Sequence, residues 1–148
     1  MATYQHILLA VDFSPESAYI GDRTKKLAQL CGAQISLIHV VEHVPLDLSN
    51  ELMLAQPVDI DAELMDDSRA QLAKLAGELG LANVQQFVEL GATKIEILRV
   101  AREQNVDLIV VGSHGRHGLS LLLGSTANAV LHGAQCDVLA VRVPDAES

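Results

Sequence analysis

Short apolar runs alternate with segments of helical periodicity along this chain, and that alternation limits the possible folds more than any other feature. Residues 6–11, 34–41, 107–111 and 138–143 are apolar with few interruptions. Such runs are typical of parallel strands that are buried on both faces. A further run, residues 84–90, is more polar, so we expect this third strand at the outside of the sheet.

Strands that alternate with helices are joined by right-handed crossovers and form a parallel sheet with helices on both faces. We therefore predict an α/β fold, a Rossmann-like doubly wound sheet of five parallel strands in the order 3-2-1-4-5. Ligands of such sheets bind beyond the carboxyl ends of the strands, where the winding reverses. The order predicts that the first and fourth strands end side by side at that place.

The first helix is expected to begin with Ser14 as N-cap and Pro15 as first helical residue, and to end at Gly32. Its apolar spacing predicts four buried residues: Ile20, Leu27, Leu30 and Cys31.

Two further helices follow from spacing. Apolar residues recur at helical intervals over residues 59–79. Thr93 and Glu96 have the spacing of a capping box, in which the glutamate reaches back to the backbone of the cap residue. A helix is therefore expected from Thr93.

At 148 residues, 49% of them hydrophobic, the chain is expected to form one domain, residues 1–148, with a full core. A formal net charge of −9 repels nucleic acid, so binding to DNA or RNA is disfavoured. An anionic ligand would need local donors to hold it against this charge.

The first residues lack the basic region of a signal peptide, and no window has the length of a membrane span. Cys31 and Cys136 are far apart and lie in apolar surroundings, which predicts buried free thiols and a cytoplasmic protein.

A glycine-rich stretch, residues 110–129, leaves the fourth strand and leads into a helix; its glycines include 112, 115, 118 and 124. Glycines allow a ligand to approach the backbone closely. Ser125 or Thr126 is expected to cap the helix, whose N-terminal N–H groups favour an anion. The stretch predicts a phosphate cradle, with a simple tight turn as the alternative.

Three other side chains of this stretch could take part in chemistry. The Arg116 guanidinium suits paired hydrogen bonds to phosphate, or is a solvated charge. His114 and His117 are three residues apart, but no cysteine or carboxylate joins them at ligand spacing, so no metal site is expected. His114 is interpreted as a residue at the edge of the ligand.

Catalysis has little support in the sequence. The glycine stretch lacks the Gly-Lys-Ser/Thr ending of a P-loop. The sequence also indicates no Ser-His-Asp triad and no Cys-His dyad. A phospho-accepting receiver domain is disfavoured because Asp12 stands alone after the first strand. At most a slow ATPase is expected.

The fifth strand is expected at a sheet edge, where exposed backbone groups invite pairing. Pairing with its own copy across a two-fold axis would cover them. We therefore predict a homodimer through six residues: Val138, Leu139, Ala140, Val141, Arg142 and Val143.

Four stretches carry a family resemblance. They are residues 7–17 (Ile-Leu-Leu-Ala-Val-Asp-Phe-Ser-Pro-Glu-Ser), residues 37–41 (Leu-Ile-His-Val-Val), residues 107–118 and residues 136–143. Over its whole length the chain resembles the universal stress protein family, especially its small single-domain bacterial members.

Members of that family that bind ATP carry Gly-x2-Gly-x9-Gly-Ser/Thr. Here Gly112 and Gly115 have the first spacing and Gly124 opens the last pair, but eight residues lie between Gly115 and Gly124 instead of nine. The resemblance implies that Asp12 contacts the ribose or adenine edge. It places backbone at Ala10 and Val40 near the base. Five residues would wrap the ribose and phosphates: Gly112, Gly115, Gly124, Ser125 and Thr126.

The resemblance therefore implies a cytoplasmic, dimeric regulatory protein of the stress response. It would bind ATP, with or without Mg, and signal to an unidentified protein partner. The alternative is a family member without nucleotide that serves as a protein-interaction module.

Overall fold

A computed structural model describes residues 4–42, 60–113 and 124–144. Within these residues the elements in chain order are β1 (His6–Ala10), α1 (Ser17–Cys31), β2 (Gln34–Val41), α2 (Ile60–Glu78), β3 (Gln85–Leu90), α3 (Thr93–Glu103), β4 (Leu108–Gly112), α4 (Ser125–Gly133) and β5 (Asp137–Val141).

The predicted sheet is confirmed. Its order is β3-β2-β1-β4-β5, and every neighbouring pair is parallel. β1 is the central strand, with Ile7 opposite Ile35 of β2 on one side and Leu108 of β4 on the other. The more polar β3 lies at one edge, as its composition predicts.

Alternate residues of the strands point to opposite faces, so the sheet has two cores. In β1, Ile7 and Leu9 pack with residues of α1 and α2, whereas Leu8 packs with residues of α3 and α4. Helices therefore cover both faces, as the doubly wound prediction requires.

The amino end of the sheet is closed by one carboxylate. Asp107, just before β4, accepts hydrogen bonds from the backbone N–H groups of Gln5 (2.9 Å) and His6 (3.0 Å). The His6 ring is buried, and its Nε2 atom lies 2.7 Å from Ser36 Oγ. These bonds join the starts of β1, β2 and β4.

The start of α1 differs from the prediction. Ser14 is not its cap, because the helix begins at Ser17 after Glu16, which makes no side-chain cap bond. The Ser14 N–H instead donates to Asp12 Oδ1 at 3.0 Å. The carboxylate of Asp12 holds Ser14 in a turn, and the helix starts only after that turn.

The buried stripe of α1 also differs. Ile20 is buried as predicted and Leu27 is half-buried, but Leu30 is 86% exposed. Leu30 comes two residues after the buried Ala28, a spacing that turns it away from the core in a helix of 3.6 residues per turn. Cys31 and Cys136 are free thiols, but both are only half-buried.

The predicted capping box of α3 is wrong. Ala92 is the N-cap residue and no side chain caps the helix. Thr93 Oγ1 donates to Glu42 Oε1 at 2.7 Å. Glu96 accepts from the Arg99 guanidinium, which also binds Glu89 and Glu103. The side chains of Thr93 and Glu96 therefore bind other side chains and do not form the capping box.

The Arg99 cluster links α3 to the edge strand β3. Arg99 lies among three carboxylates, those of Glu89, Glu96 and Glu103. Hydrogen bonds to these carboxylates raise the pKa of Arg99 further above its already high value. The cluster fixes the helix against the outermost strand.

Among the described residues, no helix combines the length and apolarity needed to cross a bilayer.

Candidate functional site

The carboxyl ends of β1 and β4 meet, as the strand order predicts. Leu9 is aligned with Val110, so the residues that follow the two strands leave the sheet side by side. Asp12 follows β1 and is exposed. Its Oδ1 accepts the Ser14 N–H, while its Oδ2 has no partner among the described residues. The strands thus present a carboxylate oxygen where the winding reverses.

The exit from β1 is fixed by a histidine of β2. His39 Nδ1 lies 2.8 Å from the carbonyl oxygen of Val11, and because that oxygen can only accept, Nδ1 carries the proton. The His39 ring stacks on Phe13 with 4.0 Å between the centroids. Phe13 has φ +61°, a left-handed conformation that is uncommon for residues other than glycine. The stacking stabilises this turn beside Asp12.

The exit from β4 depends on a glycine. A Cβ atom on Gly112 would lie 2.8 Å from Cδ1 of Ile20, a buried residue of α1. A side chain at this position would force the end of Ile20 to shift, so the close approach of α1 to the strand end favours glycine. This packing role accompanies the ligand role that the sequence predicts for the same residue.

Ser113 joins three elements through its backbone. Its N–H donates to the carbonyl oxygen of Val141 at 2.9 Å, and its carbonyl oxygen accepts the Gly124 N–H at 2.6 Å. The end of β4, the end of β5 and the start of α4 are thereby held together at one residue.

The start of α4 differs from the prediction in its cap. The N-cap residue is Gly124, with extended backbone, and no side chain caps the helix. Ser125 and Thr126, the predicted caps, are the first helical residues and are exposed. The first N–H groups of a helix have no acceptor within it, and with the helix dipole they suit an anionic oxygen.

The remaining predicted ligand residues divide into two groups. Ala10 and Val40 lie towards the carboxyl ends of β1 and β2, on the face covered by α3 and α4. His114, Gly115 and Arg116 lie outside the described residues.

Sequence reasoning missed the contacts of His39, Phe13 and Ser113. A position directly after a buried strand, between two glycines, is the signal that points to Ser113. The stacking of His39 on Phe13 has no such signal, because it depends on the register between β1 and β2.

No group of three or more histidine, cysteine or acidic side chains is arranged to hold a metal ion within residues 4–42, 60–113 and 124–144.

The predicted dimer strand lies at the sheet edge. Leu139 is 39% exposed, Val138 and Ala140 are half-buried, and Val141 is buried. Arg142 and Val143 follow the strand, which ends at Val141.

Comparison with known proteins places this geometry among relatives. The model of the universal stress protein family matches residues 3–142. Universal stress protein A homolog 2 of Coxiella burnetii is 43% identical over 144 residues, which is 97% of this chain and 98% of the relative.

Two solved structures share the fold. Universal stress protein UspA from Lactobacillus plantarum has a TM-score of 0.71 at 24% identity, covering 97% of this chain and 100% of its own. A universal stress protein solved in complex with cAMP has a TM-score of 0.61 at 23% identity, covering 93% of this chain and 96% of its own.

Proposed function

The chain belongs to the universal stress protein family, and we propose that it is an ATP-binding, homodimeric regulatory module of the stress response. One observation carries the proposal: the Asp12 carboxylate, the end of β4 and the N-terminus of α4 come together at the carboxyl end of the sheet. A carboxylate suits ribose hydroxyls or an adenine amino group, and helix N–H groups suit phosphate. That a family structure holds cAMP agrees with an adenine nucleotide as ligand class.

Each predicted residue takes a role in this proposal. Asp12 accepts from the ribose or the adenine edge, and backbone at Ala10 and Val40 lies near the base. His114 borders the ligand and Arg116 pairs with phosphate. The ribose and phosphates are wrapped by Gly112, Gly115, Gly124, Ser125 and Thr126.

The phosphates need local donors because the protein carries a formal charge of −9. Backbone N–H groups supply them without adding charge. Mg, where present, would arrive with ATP, and the protein would act in the cytoplasm on a protein partner.

The dimer of the proposal forms through β5. Its outer edge has no neighbouring strand among the described elements, and an unpaired apolar edge favours strand pairing. A two-fold axis would place two copies of β5 together.

The experiment that tests nucleotide binding has two steps. Mass spectrometry of small molecules released by denaturation identifies any ligand that copurifies. Calorimetric titration with Mg-ATP and with cAMP then measures Kd for the wild type and for Asp12→Asn, with Asp22→Asn as control. Asp22 is an exposed residue of α1 whose salt bridge joins Lys26.

We expect Asp12→Asn to raise Kd by about tenfold, the loss of one hydrogen bond to a charged group. Asp22→Asn is expected to leave Kd unchanged. No copurified nucleotide and no heat at millimolar ATP would contradict the proposal.

That negative result would favour the second candidate, a protein-interaction module without nucleotide. One observation supports this alternative: only eight residues separate Gly115 from Gly124, where the family's ATP-binding pattern has nine.

A further inference from the structure

Ser113 carries a buried hydroxyl without a partner. The residue is 9% exposed, and its Oγ has no hydrogen-bond partner among the described residues. Other buried hydroxyls are paired: Ser36 Oγ lies 2.7 Å from His6 Nε2, and Thr24 Oγ1 donates to the Ile20 carbonyl oxygen at 2.8 Å. Because buried polar groups in native proteins nearly always have partners, the exception at Ser113 needs an explanation.

The backbone of Ser113 is hydrogen-bonded on both sides. Its N–H is bonded to Val141 and its carbonyl oxygen to Gly124. These two bonds hold the residue between β5 and α4, where an approaching ligand atom could pair with the hydroxyl.

Strand alternation gives the direction of approach. Gly112 faces α1, as its proximity to Ile20 shows. The next residue therefore faces the opposite side of the sheet, which α3 and α4 cover. The Ser113 side chain thus leaves β4 on the side where α4 begins.

Two kinds of donor therefore lie on this side of the sheet: the Ser113 hydroxyl, which has no partner among the described residues, and the first N–H groups of α4, which no described side chain caps. A phosphoryl oxygen accepts several hydrogen bonds and carries the charge that the helix dipole favours. We propose that Ser113 is a ligand-binding residue whose hydroxyl donates to a phosphoryl oxygen held at the N-terminus of α4.

This inference rests on the proposed function, since it takes the α4 end of the site as the phosphate end. It adds the Ser113 hydroxyl to the backbone donors and the Arg116 guanidinium of the proposed site. It also predicts that the ligand-free protein bears the cost of an unsatisfied hydroxyl, which is measurable without any nucleotide.

The test compares Ser113→Ala with Ser36→Ala in the full chain. Thermal unfolding is measured without ligand, and Kd is measured by calorimetry with Mg-ATP and with pyrophosphate alone. Without ligand, Ser113→Ala is expected to raise Tm by about 2–4 °C, because it removes an unsatisfied buried group. Ser36→Ala is expected to lower Tm, because it leaves Nε2 of the buried His6 ring without its partner.

With ligand, Ser113→Ala is expected to raise Kd for both probes by about ten- to hundredfold, whereas Ser36→Ala leaves Kd unchanged. A lower Tm of ligand-free Ser113→Ala would overturn the inference, since the hydroxyl would then have a partner within the protein. An unchanged Kd would overturn it as well.

The two probes separate this inference from the proposed function. Binding of pyrophosphate that depends on Ser113, without binding of ATP, would support the phosphate contact and reject the ATP site. Binding of ATP with equal Kd in wild type and Ser113→Ala would support the ATP site and reject the phosphate contact of Ser113. Failure of the wild type to bind either probe would reject both.

Discussion

Gly112 at the end of β4 and Ile20 of α1 lie so close that a Cβ atom on the glycine would be 2.8 Å from Ile20 Cδ1. Cβ atoms essentially never lie closer than 3.0 Å to another heavy atom, so the end of the Ile20 side chain would have to shift. The glycine that opens the proposed phosphate loop therefore also relieves the packing where helix and sheet meet.

Gly112→Ala is expected to lower the free energy of unfolding by about 1–2 kcal/mol through overpacking. Ile20→Val deletes the Cδ1 atom, so in that background the same change should cost less than about 0.5 kcal/mol. Urea unfolding of the four proteins in this cycle measures the coupling. Gly77→Ala is the control: nothing lies within 4 Å of its Cβ position in α2, so a gain of about 0.5 kcal/mol is expected. Strict additivity of the two changes would contradict the packing role.

Leu139→Lys is expected to convert the proposed dimer to a monomer. Leu139 lies on the edge strand and is 39% exposed, so lysine is tolerated in the subunit but repels its own copy across a two-fold axis. Light scattering at micromolar concentration gives the molecular mass. Leu131→Lys, at a 49% exposed position of α4, is the control and should remain a dimer. A monomeric wild type, or a dimeric Leu139→Lys, would refute the interface. Val141 is unsuitable for this test because it is buried.

Arg99→Gln is expected to destabilise the protein by about 1 kcal/mol, since it leaves the carboxylates of Glu89, Glu96 and Glu103 together without their cation. Added salt of about 0.5 M should recover part of the loss by screening their repulsion. Urea unfolding at low and high salt measures both effects. Arg69→Gln, which breaks an exposed pair within α2, should change stability by only about 0.2 kcal/mol. Equal losses for the two variants would show that the cluster adds nothing.

Cys136 makes the stability of the protein sensitive to alkaline pH. Burial, and then the charge of Asp137, raise the pKa of this thiol above its ordinary value. The folded state thus holds the proton more tightly than the unfolded chain. The stabilisation is complete below the ordinary thiol pKa and is lost as pH rises through the raised value.

As pH rises above about 8.5, the ordinary thiol pKa, the wild type should therefore lose more stability than Cys136→Ala. Urea midpoints at several pH values provide the comparison, and Cys31→Ala controls for the loss of a thiol elsewhere. Parallel curves for wild type and Cys136→Ala would show that the thiol does not contribute.

The strand order could be predicted because it follows from a pattern spread over the whole chain. Apolar runs that alternate with helical segments leave few arrangements, and the polar β3 falls at an edge because it has fewer apolar residues to bury. The position of Asp12 beside the end of β4 follows from the same order.

Local patterns were less reliable. Thr93 and Glu96 have capping-box spacing, but Glu42, 51 residues away in sequence, accepts the threonine hydroxyl. Leu30 has the composition of a core residue but lies on the outer side of α1. The hydrogen-bond partner of Thr93 and the exposure of Leu30 both depend on tertiary contacts. The spacing of residues within one helix does not predict such contacts.

The sequence predicts which residues of the site follow the ends of the strands. It does not predict the side-chain contacts between neighbouring strands. The bond from His39 to Val11 spans 28 residues and depends on the register of β1 and β2. The unpaired hydroxyl of Ser113 is visible only when every neighbouring donor and acceptor is known.

The central place of β1 has a consequence during translation. Ile7 meets its β2 partner, Ile35, soon after synthesis begins, but its other partner, Leu108, emerges far later. At about 5–20 residues per second, the ribosome needs about 5–20 s to deliver it. A β1–β2 pair that forms within that interval would carry an open hydrogen-bonding edge along β1. Products of premature termination before β4 would keep that edge permanently, which makes them substrates for chaperones and proteases.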